Sequence, residues 1–265
     1  MARAKLYSGE KHLKPGELVA GHSKWKQIKH YKAAADAKRG AQFTKLIREI
    51  TMAAKIGGGD PDGNPRLRTA IDAAKAASMP KDNIERAIKK GTGDLEGVQY
   101  TEVQYEGYGP GGVAILISAL SDNPTRTVAD IRHKMSRLGG NLGSTGSVSY
   151  LFDRKGQIYI DSAKYEEDKV LEIALDAGAE DFKAEGEQFV VTTDPHGMHT
   201  VEDAIKKAGI EIAESEVAFI PKSTVRVEGK NAEQLVKLLE ELEELDDVQK
   251  VSANFDMDVE QMSGA

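Results

Sequence analysis

The chain has 265 residues, is 40% hydrophobic and 30% charged, contains no cysteine, and carries a formal net charge of −7. Its length suggests two or three domains at roughly 100–200 residues each, and the lack of cysteine excludes disulfides, thiol catalysis and cysteine-ligated metals. The longest strongly apolar run, Val113–Ile117, is far short of the roughly 20 residues of a spanning helix. No apolar signal core occupies the first twenty residues, so we expect a cytoplasmic chain without membrane attachment. Charge is distributed unevenly. Residues 1–95 hold 20 Lys and Arg against 10 Asp and Glu, a balance of +10, and residues 96–265 hold 16 against 33, a balance of −17. Such a division suggests a polyanionic partner for the N-terminal part.

Residues 1–19 show no period, contain the breaker pair Pro15-Gly16, and read as a leader without regular structure. From Ser23, a candidate N-cap, the pattern is helical. Trp25, Ile28, Tyr31 and Ala35 form one apolar stripe, with Lys26, Lys29 and His30 on the opposite side. A second helix is expected from Ala41 to Ile56, with Phe43, Leu46, Ile47, Ile50 and Ala54 inward and Lys45, Arg48 and Lys55 outward. Asn64-Pro65 opens a third, with Leu67, Ala70, Ile71 and Ala74 as its buried stripe, and Asp82 begins a fourth that Gly91 ends. Residues 20–95 therefore read as a basic helical domain.

Beyond Thr92 strands alternate with helices. Val98–Glu106 and Val113–Leu120 predict a pair joined at Gly107–Gly112, and Thr127–Leu138 predicts a helix followed by a glycine-dense loop over Gly139–Gly146. Val148–Asp153 and Gln157–Asp161 read as a hairpin turning at Arg154-Lys155-Gly156. Further strands are expected near 182–185, 188–193, 214–220, 224–228 and 248–255, with helices near 166–177, 201–208 and 232–245. The rhythm fits an α+β class with two ferredoxin-like units after the helical bundle.

Enzymatic motifs do not survive inspection. Gly107-x-Gly109-x-x-Gly112 matches a dinucleotide fingerprint only formally, because a buried strand follows where a helix N-terminus is needed. His196 and His199 lie in a loop after Asp194-Pro195, with no third metal ligand evident. The run EELEELDD over 240–247 is the charged exterior of a helix whose Leu235, Leu238, Leu239, Leu242 and Leu245 face inward. We therefore expect no enzyme activity, no cofactor and no metal. Phosphate binding needs several Lys or Arg on one face, and Lys26, Lys29, Lys45 and Arg48 could supply it, with Arg66, Arg68, Lys89 and Lys90 nearby in a compact bundle. The same lysines also suit a plain solvated face, and Trp25 suits core packing at least as well as base stacking. Gly139–Ser147, rich in glycine and hydroxyls, is a second candidate as a backbone phosphate nest, or a structural loop.

The blocks AGHSKW (20–25), IKH (28–30), DAKRGAQFTKLIREI (36–50), NPRLRTAI (64–71), MPKDNIERAIKKG (79–91), YEGYGPGG (105–112), DNPTRT (122–127) and GGNLGSTGSVSYLF (139–152) together resemble the YebC/PmpR family. The resemblance implies three domains: residues 20–95, a discontinuous α/β domain of 96–161 plus 223–265, and an inserted α/β domain over 162–222. It implies a DNA-binding transcriptional regulator, or, from relatives that include a mitochondrial translational activator, a factor acting on the ribosome through RNA. Residue by residue it makes His22, Ser23, Lys24, Trp25, Lys29, His30, Arg66 and Arg68 the best contact candidates, and it leaves the acidic domains for a protein partner. Family members begin Met-Ala-Gly-His-Ser, whereas Val19 precedes Ala20 here. Translation is therefore expected to start at position 19, which the intact mass of the native protein decides.

Overall fold

The computed structural model describes residues 37–257. Three helices come first: α1 (Ala37–Gly57), α2 (Pro65–Ala76) and α3 (Lys81–Thr92). Ile50, Ala53 and Ala54 of α1, Leu67, Ala70, Ile71 and Ala74 of α2, and Ile84 and Ala87 of α3 bury into one cluster, as the 3.6-residue period requires. Each large apolar side chain buried there contributes about 1.5–3 kcal/mol. Asn64 caps α2 by accepting the Leu67 N–H at 3.1 Å, and Pro65 occupies the first turn. Gly91 does not end α3, as its sequence position suggests. It lies inside the helix, where a Cβ would meet the Thr51 carbonyl oxygen of α1 at 2.3 Å, so it allows the two backbones to approach. Gly93, at φ 89°, is the left-handed cap.

A four-stranded antiparallel sheet comes next, in the order β3-β1-β2-β9, from β1 (Thr101–Tyr108), β2 (Ala114–Ser121), β3 (Asn141–Leu142) and β9 (Val248–Ala253). A turn through Gly109 and Gly112 joins β1 to β2, with Tyr108 opposite Ala114 and Gly107, expected in the turn, inside β1 opposite Ile115. Helices α4 (Pro124–Arg137) and α7 (Gly229–Glu243) cover one face. Val113, Ile115 and Ile117 pack there against Ile131, Met135, Leu235, Leu238, Leu239 and Leu242. A short parallel pair, β8 (Val225–Arg226) with β10 (Phe255–Asp256), closes this unit.

The second sheet has the order β5-β6-β4-β7, from β4 (Phe152–Asp161), β5 (Asp181–Glu185), β6 (Gln188–Thr193) and β7 (Glu214–Pro221). With α5 (Glu167–Asp176) between β4 and β5, and α6 (Met198–Lys207) between β6 and β7, it has the βαββαβ order of a ferredoxin-like unit. The hairpin expected across Arg154-Lys155-Gly156 is absent, for β4 runs through these residues without a break. Gly156 serves packing instead of turning: a Cβ there would meet Thr193 Oγ1 at 2.4 Å and Met198 at 3.0 Å. Because Phe152 of β4 pairs with Pro221 of β7, the second sheet begins at 152 rather than at the sequence-drawn boundary of 162. Ala114, Leu116, Val148 and Phe152 seal the two sheets together. The chain is thus α+β, with helices first and two α/β units after them.

Candidate nucleic-acid interface

Seven of the expected contact residues, His22, Ser23, Lys24, Trp25, Lys26, Lys29 and His30, lie outside the described residues. The other six are described, and they fall into two groups: four held by internal contacts and two at the surface.

Lys45 and Arg48 do not face outward as the helical period suggests. They face the C-terminal turn of α7 and the residues after it. Lys45 Nζ donates to the Glu243 carbonyl. The Arg48 guanidinium donates to the carbonyls of Asp246 at 2.8 Å and Leu120 at 3.2 Å, and pairs with the Asp247 carboxylate. It also lies 5.4 Å from the Tyr100 ring centre, a cation–π distance. The end of α7 carries the negative pole of the helix, so cations are favoured there. Asp247 is the hub of this contact. Its carboxylate also accepts from Arg126 Nη2 at 2.8 Å, Ser121 Oγ at 3.2 Å and the Thr127 hydroxyl. Burial pushes its pKa up, but Thr127, Arg126 and Arg48 outweigh that and bring it down to about 2.

Arg66 and Arg68 are also engaged within the chain. Arg66 forms a fork with both Glu49 oxygens, at 2.7 and 3.1 Å, and reaches Glu102 of β1 at 3.0 Å. Arg68 donates to the carbonyls of Pro61 at 3.1 Å and Asp62 at 2.9 Å, which fastens the loop before α2. Lys89 and Lys90 belong to the second group. Lys89 is exposed and Lys90 half-buried on the last turn of α3, with exposed Arg86 one turn earlier. The stem of Lys90 lies against Gly97, which leaves its head at the surface. Arg86, Lys89 and Lys90 thus form a cationic strip on a rigid helix.

The expected phosphate nest at Gly139–Ser147 is filled from within. Glu106, on β1 and buried, accepts the backbone N–H groups of Gly146 at 2.7 Å, Val148 at 2.7 Å and Ser149 at 2.8 Å. Burial raises its pKa, but these three donors overcome burial and hold it below the usual carboxylate value. His199 Nδ1 lies 2.9 Å from Glu202 and its Nε2 lies 3.3 Å from the Pro65 carbonyl, so it bridges α6 to α2. No group of three His, Cys, Asp or Glu suited to a metal occurs among the described residues. No helix among them is long and apolar enough to cross a membrane. Sequence reasoning misses Asp247, Glu106 and Arg126. Asp247 closes an acidic run that looks solvated, and nothing local in TEVQYEGY sets Glu106 apart from Glu102.

Ion pairs Arg48–Asp247 and Arg66–Glu102 lock the basic helical unit onto the first sheet unit, and the contact of His199 with the Pro65 carbonyl joins it to the second. Models of the TACO1/YebC N-terminal domain and of the TACO1/YebC second and third domain match residues 23–94 and 100–255, and the chain belongs to that family. A probable transcriptional regulatory protein of Gemmatimonas aurantiaca is 63% identical over 247 residues, covering 93% of this chain and 100% of that one. One from Geobacter sulfurreducens is 56% identical, covering 92% and 98%. The crystal structure of a conserved hypothetical protein from Aquifex aeolicus superposes with a TM-score of 0.82 at 50% identity, covering 89% of this chain and 97% of that one.

Proposed function

We propose that this chain is a non-enzymatic, nucleic-acid-binding regulator that holds phosphate through its basic N-terminal helices and acts in transcription on DNA. The observation that carries this reading is the strip Arg86, Lys89 and Lys90, which stays at the surface after Lys45, Arg48, Arg66 and Arg68 are spent on internal contacts. His22, Ser23, Lys24, Trp25, Lys26, Lys29 and His30, which lie outside the described residues, are the further contacts of this reading. The names of the relatives, probable transcriptional regulatory proteins, support the transcriptional assignment.

A second reading, a ribosome-associated translation factor, is favoured by the charge division. Residues 152–221 hold 7 basic against 17 acidic groups, a balance of −10. Phosphate repels such a surface, whereas basic protein attracts it. A ribonucleoprotein offers RNA to the helices and basic proteins to the acidic unit at the same time. A scaffold that binds only a basic protein is the alternative of another class. Binding to duplex DNA, ribosomal RNA and intact ribosomes, measured side by side at several salt concentrations, separates the three. Preference for duplex DNA supports the first reading, preference for ribosomes replaces it with the second, and no nucleic-acid binding leaves only the scaffold.

A further inference from the structure

The glycine-rich loop between β3 and β4 is held more firmly than a surface connection requires. Besides the three amides bound by Glu106, the Gly143 N–H donates to the Glu106 carbonyl at 2.8 Å and the Tyr108 hydroxyl donates to the Ser147 carbonyl at 2.9 Å. The Ser147 N–H closes a turn on the Ser144 carbonyl at 3.1 Å. The residues after Ser147 are equally fixed. Leu151 N–H donates to the Val148 carbonyl at 2.9 Å, and Lys222 N–H donates to the Leu151 carbonyl at 2.9 Å. Val148 and Phe152 are buried on either side. Between those two anchors Tyr150 is 63% exposed. A loosely held loop does not explain that exposure, because the backbone around Tyr150 is fastened at both ends. Rigid support for an outward aromatic is how a binding element is presented.

We propose that the loop Gly143–Ser149 and Tyr150 form a second nucleic-acid contact, in which the Tyr150 ring stacks on an unpaired nucleotide base and the Ser144 and Thr145 hydroxyls meet its sugar and phosphate. The proposal rests on the nucleic-acid reading above and specifies the strand state recognised. Base stacking on an aromatic ring is sequence-tolerant, because every base presents a π-face. The loop that leads to Tyr150 exposes Gly143, Ser144, Thr145 and Gly146. A protein hot spot calls instead for a contiguous apolar surface around the aromatic. The other strongly exposed apolar side chains, Ile56, Leu95, Val98 and Leu175, lie on the helical unit, its linker and α5. Bases stacked inside a duplex cannot be reached by such a ring, whereas those of single strands, loops and ends can. In this arrangement Glu106 is a positioning residue. It binds the amides of Gly146, Val148 and Ser149 and so fixes the loop that carries the Ser144 and Thr145 hydroxyls.

The test uses the full chain with single-stranded RNA and DNA oligonucleotides carrying 2-aminopurine, and with the matched duplex. Tyr150→Ala is expected to weaken single-strand binding about tenfold and to abolish the quenching that stacking produces, while duplex affinity stays unchanged. Tyr150→Phe keeps the ring and is expected to behave as wild type. Glu106→Gln, assayed where circular dichroism shows it folded, is expected to lower the ratio of single-strand to duplex affinity, whereas a merely structural role would lower both alike. Equal single-strand affinity and quenching in Tyr150→Ala and wild type would overturn the loop contact and leave the nucleic-acid reading standing. Absence of binding by wild type to any of the oligonucleotides would overturn both.

Discussion

At the scale of single residues, one buried carboxylate joins the helical unit to the first sheet unit. Asp247 gathers Arg48 from the helical unit and Arg126, Thr127 and Ser121 from the sheet unit. Removing its charge leaves a largely buried guanidinium without its counter-ion, so Asp247→Asn should cost on the order of 3 kcal/mol in urea denaturation at neutral pH. Its depressed pKa fixes the direction of the acid response. The contribution is present above the unfolded value near 3.9 and is lost as pH falls through about 2. The gap between wild type and Asp247→Asn should therefore close in acid, and a gap that persists at pH 2 would contradict the assignment. None of this is legible in the sequence. EELEELDD has the look of a solvated helix face, and only the fold shows that its last acid turns inward toward an arginine 199 positions away. The buried stripes of α1, α2 and α3 are legible, because helical periodicity records which side chains meet the core whatever the partner.

Among elements, sequence reading fails where glycine has two meanings. Gly156 has the sequence context of a turn and is instead a contact surface between β4 and α6. Gly156→Ala should destabilise the second-sheet unit by about 1–3 kcal/mol, since Thr193 and Met198 would have to move. Thermal unfolding checks this, and an unchanged midpoint would show that the strand can shift freely. Contacts between elements also respond to pH. The hydrogen bond to Glu202 raises the His199 pKa against the opposing effect of burial, and Arg68 works against it as well. In the charged form both ring nitrogens donate, one to Glu202 and one to the Pro65 carbonyl. The stability this bridge contributes is full below the unfolded value near 6.5 and declines as pH rises through the raised folded value. Imidazole resonances should titrate above 6.5 for His199, and His199→Ala should remove that part of the pH dependence. A His199 titration below 6.5 would refute the bridge.

Over the whole molecule, charge is divided between a basic N-terminal part and an acidic remainder. The sequence shows the division in full but not its use, because it does not tell which cations remain available after packing. Arg48 and Arg66 look like surface charges and are the fasteners between the helical unit and the first sheet. Lys89 and Lys90, which the sequence offers among the phosphate contacts, form a surface strip with Arg86. The most direct test of the phosphate-binding claim is the salt dependence of duplex binding by wild type and by Arg86→Ala/Lys89→Ala/Lys90→Ala. The variant should keep wild-type stability and bind less tightly at low salt, and its log–log slope should shrink by roughly one for each phosphate it no longer neutralises. An unchanged slope and affinity would contradict the account.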